Sequence, residues 1–464
     1  MDVPDSTRPR QNTLDQTNFK KRAIWFLAAF VLSCIVYWCG GVLEPNQQTV
    51  LAIVTIAVVL WISEVIPLYI TSLIASFLLI VIAGFEPKEI FAPYFDSVIV
   101  LFLGGFVLAR GLQKHGLDSF LAQSLLRRVG SNPYMFILGI MSVTAFLSMW
   151  MSNTAAAAVM VPICVVVLRE NNLFSNTSGF ARGCLLAVAY AATIGGIGTV
   201  VGSPPNAIAV RLLASNPTEI VELSFIGWMI QALPFVVVTL IFVWIMLCIL
   251  NKPEVTKIRF VNQEGKFTRK QALVLAIFGV TALGWLSTQL TGLASATIAL
   301  IPIILLYGFG LLDDTDLGKI SWGTLLLFGG GLSLGGALTK VRIDILIAEN
   351  LTRQLHGLHV FFILITLIYF GILITMIASN TASAAILVPL MIPVAKGVGL
   401  DVQTMATVIA IGVSLDFMMP VGTPPNAIVY STGLVRVKEM MKNGAVINIG
   451  AGLILALMYY LFWI

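Results

Sequence analysis

The chain has 464 residues, 58% hydrophobic and 11% charged, with a mean hydropathy of +0.96. Soluble domains carry about 25% charged residues, so this composition excludes water as the solvent of most of the chain. The formal charge of +5 sits between apolar segments and not along one face, which argues against a nucleic-acid partner.

In chain order, Met1 to Lys21 is polar and lacks a small-residue cleavage site, so residues 1–22 read as a retained cytoplasmic tail. Apolar spans follow at 23–40, 49–66, 68–84 and 97–113, then 180–213, 224–250, 271–289, 293–311, 322–340, 403–434 and 443–463. Each is of the length that crosses a hydrocarbon core of about 30 Å. None has the alternating period of a membrane strand, so the spans are helices. Two further apolar stretches, 133–170 and 358–396, are each interrupted by a polar tripeptide and read as re-entrant hairpins. Polar backbone at membrane depth survives where protein or a watery cavity surrounds it. The fold class is therefore an all-α polytopic membrane protein, with eleven transmembrane helices and two re-entrant hairpins in a lipid bilayer. Arg8, Arg10, Lys20, Lys21 and Arg22 precede the first span, and Lys252, Lys257, Arg259, Lys266, Arg269 and Lys270 fill the 251–270 loop. The positive-inside rule places both segments in the cytoplasm. Cys34, Cys39, Cys164, Cys184 and Cys248 lie in apolar segments without metal-ligand spacing and read as packing residues.

The chain repeats itself. Ser152-Asn153-Thr154-Ala155 returns as Ser379-Asn380-Thr381-Ala382, 227 residues on, and Val161-Pro162 returns as Val388-Pro389 at the same offset. Upstream, Leu101-Phe102-Leu103-Gly104-Gly105 resembles Leu327-Phe328-Gly329-Gly330; downstream, Gly202-Ser203-Pro204-Pro205-Asn206 returns as Gly422-Thr423-Pro424-Pro425-Asn426. Each copy holds three spans, a hairpin and two more spans, hence five crossings. Five is odd, so the second copy is inverted relative to the first, the architecture of secondary transporters. Arg436, Lys438 and Lys442 then fall on the cytoplasmic side, and the C-terminus lies outside.

A Ser-Asn-Thr tip offers hydroxyls and a carboxamide at a helix break. The half-helix that starts there aims its N–H groups and positive dipole end at an anion, and the one that ends there offers carbonyls to a hard cation. In the second motif paired prolines remove N–H donors and break the span, glycine permits close approach, and Ser203 or Thr423 supplies a hydroxyl. A single hydroxyl in a membrane helix usually bonds its own backbone and a single proline usually makes a kink. Four breaks in two symmetric pairs favour a site. Neither tip nor either proline break contains Lys or Arg, so an anion bound there needs a co-bound cation, or dipoles and hydrogen bonds that suffice alone, as in an exchanger.

These paired motifs, with Trp61-Ile62-Ser63-Glu64-Val65-Ile66-Pro67, resemble the divalent anion:sodium symporters, the INDY-type dicarboxylate transporters. The resemblance implies a homodimer with a scaffold (23–113 and 271–340) and an elevator-type transport domain (114–250 and 341–464). It implies one sodium near Ser148, Ser152, Asn153 and Gly202, and its symmetry mate near Thr375, Ala378, Asn380 and Gly422. Carboxylates would be held by Asn153, Thr154, Ser203, Asn380, Thr381, Thr423 and Pro424. The expected activity is sodium symport of a C4-dicarboxylate such as succinate across the inner membrane. A sodium-independent exchanger and a sodium:sulfate symporter are the alternatives within that class. An intramembrane enzyme is disfavoured because HExxH and Walker-type signatures are missing from the sequence and neither tip has a titratable base beside it, and a channel because discontinuous inverted hairpins suit alternating access.

Several residues stand outside this scheme. Asp416, a carboxylate in an apolar span, either binds a proton or cation or pairs with a polar neighbour. Glu64 reads as a scaffold residue, and His115, His356 and His359 as surface residues. Asp313, Asp314 and Asp316 lack the glycine and terminal glutamate of an EF-hand loop and read as a solvated turn.

Overall fold

The apolar runs become helices, and the turn residues between them decide where each helix starts. The computed structural model describes residues 10–41, 43–214, 221–259, 267–355 and 357–462, with side chains from Lys20 onward. Arg8, the Arg10 side chain, Lys266, His356 and residue 463 of the final predicted span lie outside the described residues. The first copy is preceded by α1 (Arg10–Cys39) and comprises α2 (Pro45–Ser63), α3 (Leu68–Val81), α4 (Ser97–Lys114), α5 (Leu117–Leu126), α6 (Pro133–Ser148), α7 (Asn153–Glu170), α8 (Gly179–Ile197), α9 (Pro204–Ala214) and α10 (Phe225–Leu250). The second comprises α11 (Arg269–Leu286), α12 (Ser295–Ile298 and Leu300–Gly308), α13 (Trp322–Lys340), α14 (Ile343–Leu355), α15 (Val360–Thr375), α16 (Asn380–Gly397), α17 (Val402–Gly412), α18 (Pro424–Ser431) and α19 (Val437–Phe462). Nine helices in each copy correspond in order, and no strand occurs among the described residues.

Side-chain contacts show the inversion. Helices α10 and α19 run antiparallel: Asn251 Nδ2, just past α10, donates to Asn443 Oδ1 near the start of α19 at 2.7 Å, and Phe242 meets Gly450 further along. The base of the first hairpin, α6–α7, sits at the Asn251 end, where the Ile258 N–H donates to the Ser131 carbonyl (2.9 Å) and Asn171 Nδ2 to the Arg259 carbonyl (2.8 Å). The base of the second hairpin, α15–α16, sits at the far end of α19, where His359 and Phe361 pack on Tyr460. The two hairpins therefore open at opposite ends of the bundle.

Most packing falls into two groups, which meet where α13 packs on α16 and α9. Helices α1–α4 pack with α11–α13, while the hairpins pack with α8–α10 and α17–α19. The glycine marker that recurs upstream of each hairpin explains part of the first group. A Cβ at Gly104 on α4 would overlap the Ala299 carbonyl of α12, and one at Gly330 on α13 would overlap Ser72 of α3. Each glycine thus lets one copy's helix cross directly on the other's backbone. The second group is interlocked: α8 and α7 pack on α18, and α17 and α16 pack on α9. Tip one also touches the first group, where the Trp150 ring stacks on Trp285 of α11 with centroids 6.4 Å apart.

Several expectations change in detail. Among the described residues ten helices are long and apolar enough to cross a membrane, against eleven predicted spans. Two of the ten are the 18-residue hairpin arms α7 and α16, at 1.5 Å per residue about as long as a crossing helix. The predicted spans 68–84 and 293–311 are shorter or interrupted helices. The helix expected over 23–40 starts at Arg10, so much of the tail is continuous with it. Helices α5 and α14 were not anticipated at all. The predicted solvated turn at 313–316 is only partly solvated, because Asp316 is buried at 1% exposure and ion-paired. Arg110 reaches its Oδ1 at 2.8 Å and Lys114 its Oδ2 at 2.5 Å. Burial alone would raise the Asp316 carboxyl, but these two cations outweigh it and hold it at about 2.

Candidate functional site

Both Ser-Asn-Thr tips are helix starts. Ser152 caps α7, its Oγ accepting from the Ala155 N–H at 3.3 Å, and Ser379 caps α16 by the same bond to Ala382, also 3.3 Å. Asn153 and Asn380 thereby become the first helical residues and Thr154 and Thr381 the second, where backbone N–H groups lack intrahelical partners. The dipole end beside them is positive. Each serine hydroxyl accepts one cap bond and keeps a second lone pair.

The asparagines are anchored alike. Ser148 Oγ lies 2.7 Å from Asn153 Oδ1, and Thr375 Oγ1 lies 2.7 Å from Asn380 Oδ1. Ser148 Oγ is also 2.6 Å from the Ala192 carbonyl, and one hydroxyl hydrogen cannot serve both acceptors. Turned about its Cβ–Cγ bond, the Asn153 amide would donate to Ser148 Oγ (2.7 Å), the Ala192 carbonyl (3.1 Å) and the Gly202 carbonyl (3.3 Å). One small volume is therefore lined by oxygen acceptors, and either an amide nitrogen or a cation satisfies it. Its walls depend on glycine: a Cβ at Gly196 would overlap Asn153 Oδ1, and one at Gly202 would lie 3.0 Å from the Ser148 carbonyl. This oxygen-rich shell, uncharged and close-walled, fits sodium.

The proline motifs make breaks, as expected, at 198–203 between α8 and α9 and at 413–423 between α17 and α18. What holds each break is the asparagine, which the sequence reading passed over. Asn206 Nδ2, fully buried, faces the carbonyls of Gly196 (2.9 Å), Ile197 (3.3 Å) and Thr199 (2.7 Å). Asn426 Nδ2 faces those of Met419 (3.0 Å) and Asp416 (3.4 Å). These carbonyls are the ones a terminated helix leaves unpaired. The signal was in the sequence, since Asn206 and Asn426 recur with the motif. Thr199 was also missed: its Oγ1 donates to the Met149 carbonyl at 2.5 Å and accepts from the Gly202 N–H at 3.1 Å, tying break one to tip one.

The structure brings Ser148, Asn153 and Gly202 together, and Thr375 with Asn380. Ser203, Thr423 and Ala378 are buried, Thr381 and Gly422 are half-buried, and Thr154 and Pro424 are exposed. Thr423 caps α18, its Oγ1 accepting from the Asn426 N–H at 3.4 Å. Among the described residues no hydrogen bond joins one tip to the other; they are linked through α7 on α18 and α16 on α9.

Comparison with known proteins gives the family and the fold. The model of the sodium:sulfate symporter transmembrane region matches residues 19–464. An uncharacterized transporter of Haemophilus influenzae is 35% identical over 445 residues, covering 91% of this chain and 93% of its own. The sodium-dependent dicarboxylate transporter SdcS of Staphylococcus saprophyticus is 32% identical over 464 residues, covering 93% and 89%. SdcS of Staphylococcus aureus is 30% identical over 444 residues, covering 89% and 85%. Among solved structures, the Alcanivorax borkumensis YdaH transporter aligns with a TM-score of 0.58 at 14% identity, covering 80% of this chain and 86% of that one. The Neisseria gonorrhoeae efflux pump MtrF aligns with a TM-score of 0.58 at 14% identity, covering 83% and 85%. At that identity the likeness concerns the fold alone.

Proposed function

The chain belongs to the sodium:sulfate symporter family, and on that premise we propose that it imports C4-dicarboxylates such as succinate by sodium symport through an elevator mechanism. It is a multi-pass membrane transporter and not an enzyme. The observation that carries the reading is the pair of helix-start tips, each with an asparagine anchored to a hydroxyl on the preceding arm and with no Lys or Arg in its motif. Uncharged amides and dipole ends hold carboxylates, and sodium supplies the countercharge, which the relatives named as sodium-dependent dicarboxylate transporters support.

Substrate contacts fall to Asn153, Thr154, Ser203, Asn380, Thr381, Thr423 and Pro424. Sodium contacts fall to Ser148, Asn153 and Gly202 in one copy and Thr375, Ala378, Asn380 and Gly422 in the other, with Ser152 closing the first shell from its cap. The two packing groups suit a scaffold of 23–113 and 271–340, dimerising with a second copy, and a transport domain of 114–250 and 341–464 that moves against it. The N-terminus is cytoplasmic and the C-terminus lies outside the inner membrane.

The test is succinate uptake into proteoliposomes. An inward sodium gradient is expected to drive saturable uptake that Asn153→Ala and Asn380→Ala abolish. Uptake indifferent to sodium would assign the protein to the exchangers, and sulfate uptake untouched by excess succinate would assign it to the sulfate carriers.

A further inference from the structure

The two cation shells are built from matched parts, with one exception. Through the breaks the copies correspond at an offset of 220, which pairs Gly202 with Gly422 and Asn206 with Asn426. Hydrogen bonds extend the register: Asn206 bonds the carbonyls of Gly196 and Thr199, and Asn426 those of Asp416 and Met419, each pair again 220 residues apart. Asp416 is therefore the counterpart of Gly196.

Position 196 tells what a side chain does there. A Cβ on Gly196 would point at Asn153 Oδ1 and lie 3.1 Å from the Gly202 carbonyl, inside the first shell. In the second copy the side chain at that position is a carboxylate. It lies directly over Gly422, within 2.8 Å of where a Gly422 Cβ would stand on its Oδ1 side and overlapping it on the Oδ2 side. Asp416 is fully buried, and neither oxygen has a hydrogen-bond partner among the described residues. The Met418 amide is directed toward it but falls outside hydrogen-bond geometry. No ion pair involves it there either, whereas each of the other buried aspartates has a partner: Asp316 two cations, and Asp118 and Asp344 a backbone N–H each. A buried carboxylate without a partner is costly, and the register puts this one where the first copy has Gly196 against Asn153 and Gly202.

We propose that Asp416 is a direct carboxylate ligand of the cation held by the second copy, beside Thr375, Asn380 and Gly422, so that this site carries a fixed negative charge and the first does not. The inference rests on the sodium reading above and refines it. The second site binds its cation more tightly and fills first, and the cation neutralises protein charge as well as substrate charge.

The test uses the purified full chain, with melting measured in sodium chloride against choline chloride. In choline, Asp416→Asn and Asp416→Gly are expected to melt at or above the unmodified protein, because an unpaired buried charge is gone. In sodium they are expected to lose much of the stabilisation, the half-saturating concentration rising about tenfold or more, the scale on which metal-site groups act; Asp416→Glu retains part of it. An unchanged sodium half-saturation in Asp416→Asn overturns the assignment while leaving sodium symport standing. If the unmodified protein shows no sodium response, sodium coupling itself fails and takes this inference with it. Should the variants not fold, sodium-minus-choline difference infrared spectra of the unmodified protein decide: a carboxylate band that changes supports a ligand, and a featureless carboxylate region overturns it.

Discussion

Removing the Asn206 amide tests whether the asparagine of each break holds the site in shape. In Asn206→Ala the carbonyls of Gly196, Ile197 and Thr199 lose the donor that faces them at 2.7 to 3.3 Å. An Nδ2 group has two hydrogens for these three oxygens, so two hydrogen bonds' worth is lost. At about 0.5–1.5 kcal/mol net each, plus a desolvation cost of about 1–3 kcal/mol for an acceptor left unpaired, the loss is about 2–6 kcal/mol. Asn426 faces two carbonyls, one at 3.4 Å, so Asn426→Ala is expected to cost less. The assay is melting of the detergent-purified variants, paired with sodium-driven succinate uptake at matched protein density. Asn206→Ala should melt lower than Asn426→Ala and should lose sodium affinity, because Gly196 and Gly202 wall the first shell. An Asn206→Ala protein that melts and takes up sodium like the unmodified one would refute the reasoning.

Further predictions follow from the same contacts. Gly196→Ala forces the Asn153 amide aside; an overpacking cost of about 1–3 kcal/mol raises half-saturating sodium roughly five- to hundredfold, whereas Gly279→Ala, with open space around it, leaves it unchanged. Asp316 has a folded-state value of about 2, below the roughly 3.9 of an unfolded carboxyl, so its stabilisation is complete above about pH 4 and fades as pH falls through 2. Melting of the unmodified protein should therefore drop over that window while Asp316→Asn, less stable at pH 7, changes less; parallel curves would count against the pairing. Single cysteines at Arg259 and His359 mark opposite ends of the bundle, so a membrane-impermeant thiol reagent added to intact cells should label the second and spare the first.

Much of the architecture was readable because the repeat is written in residues with few substitutes. Polar tips, paired prolines and helix-crossing glycines stand out against an apolar background, and they fixed the hairpins, the breaks and the inversion. Length was a weaker guide, since hairpin arms α7 and α16 are as long as a crossing helix, while α3, α12 and α17 are shorter. Helices α5 and α14 were invisible because at 10 and 13 residues they are too short and too polar to read as spans. The breaks were expected from proline and hydroxyl chemistry, yet the carboxamides that hold them show only when the carbonyls they face are seen. Asp416 has no counterpart of note at the 227 offset of the tips; at the 220 offset of the breaks it pairs with Gly196. What that pairing means shows only when Gly196 is seen against the Asn153 amide and Asp416 over Gly422.

The exchange of partners between copies bears on how the chain is made. Helix α8 is complete by residue 197, but α18, against which it packs, begins at Pro424. The first half thus leaves the ribosome with an unfinished neighbour, and its native contacts wait for nearly the whole of translation. Neither half is then a folding unit alone. Two fragments separated in the loop between α10 and α11 should each be degraded when expressed singly and should rescue one another when expressed together.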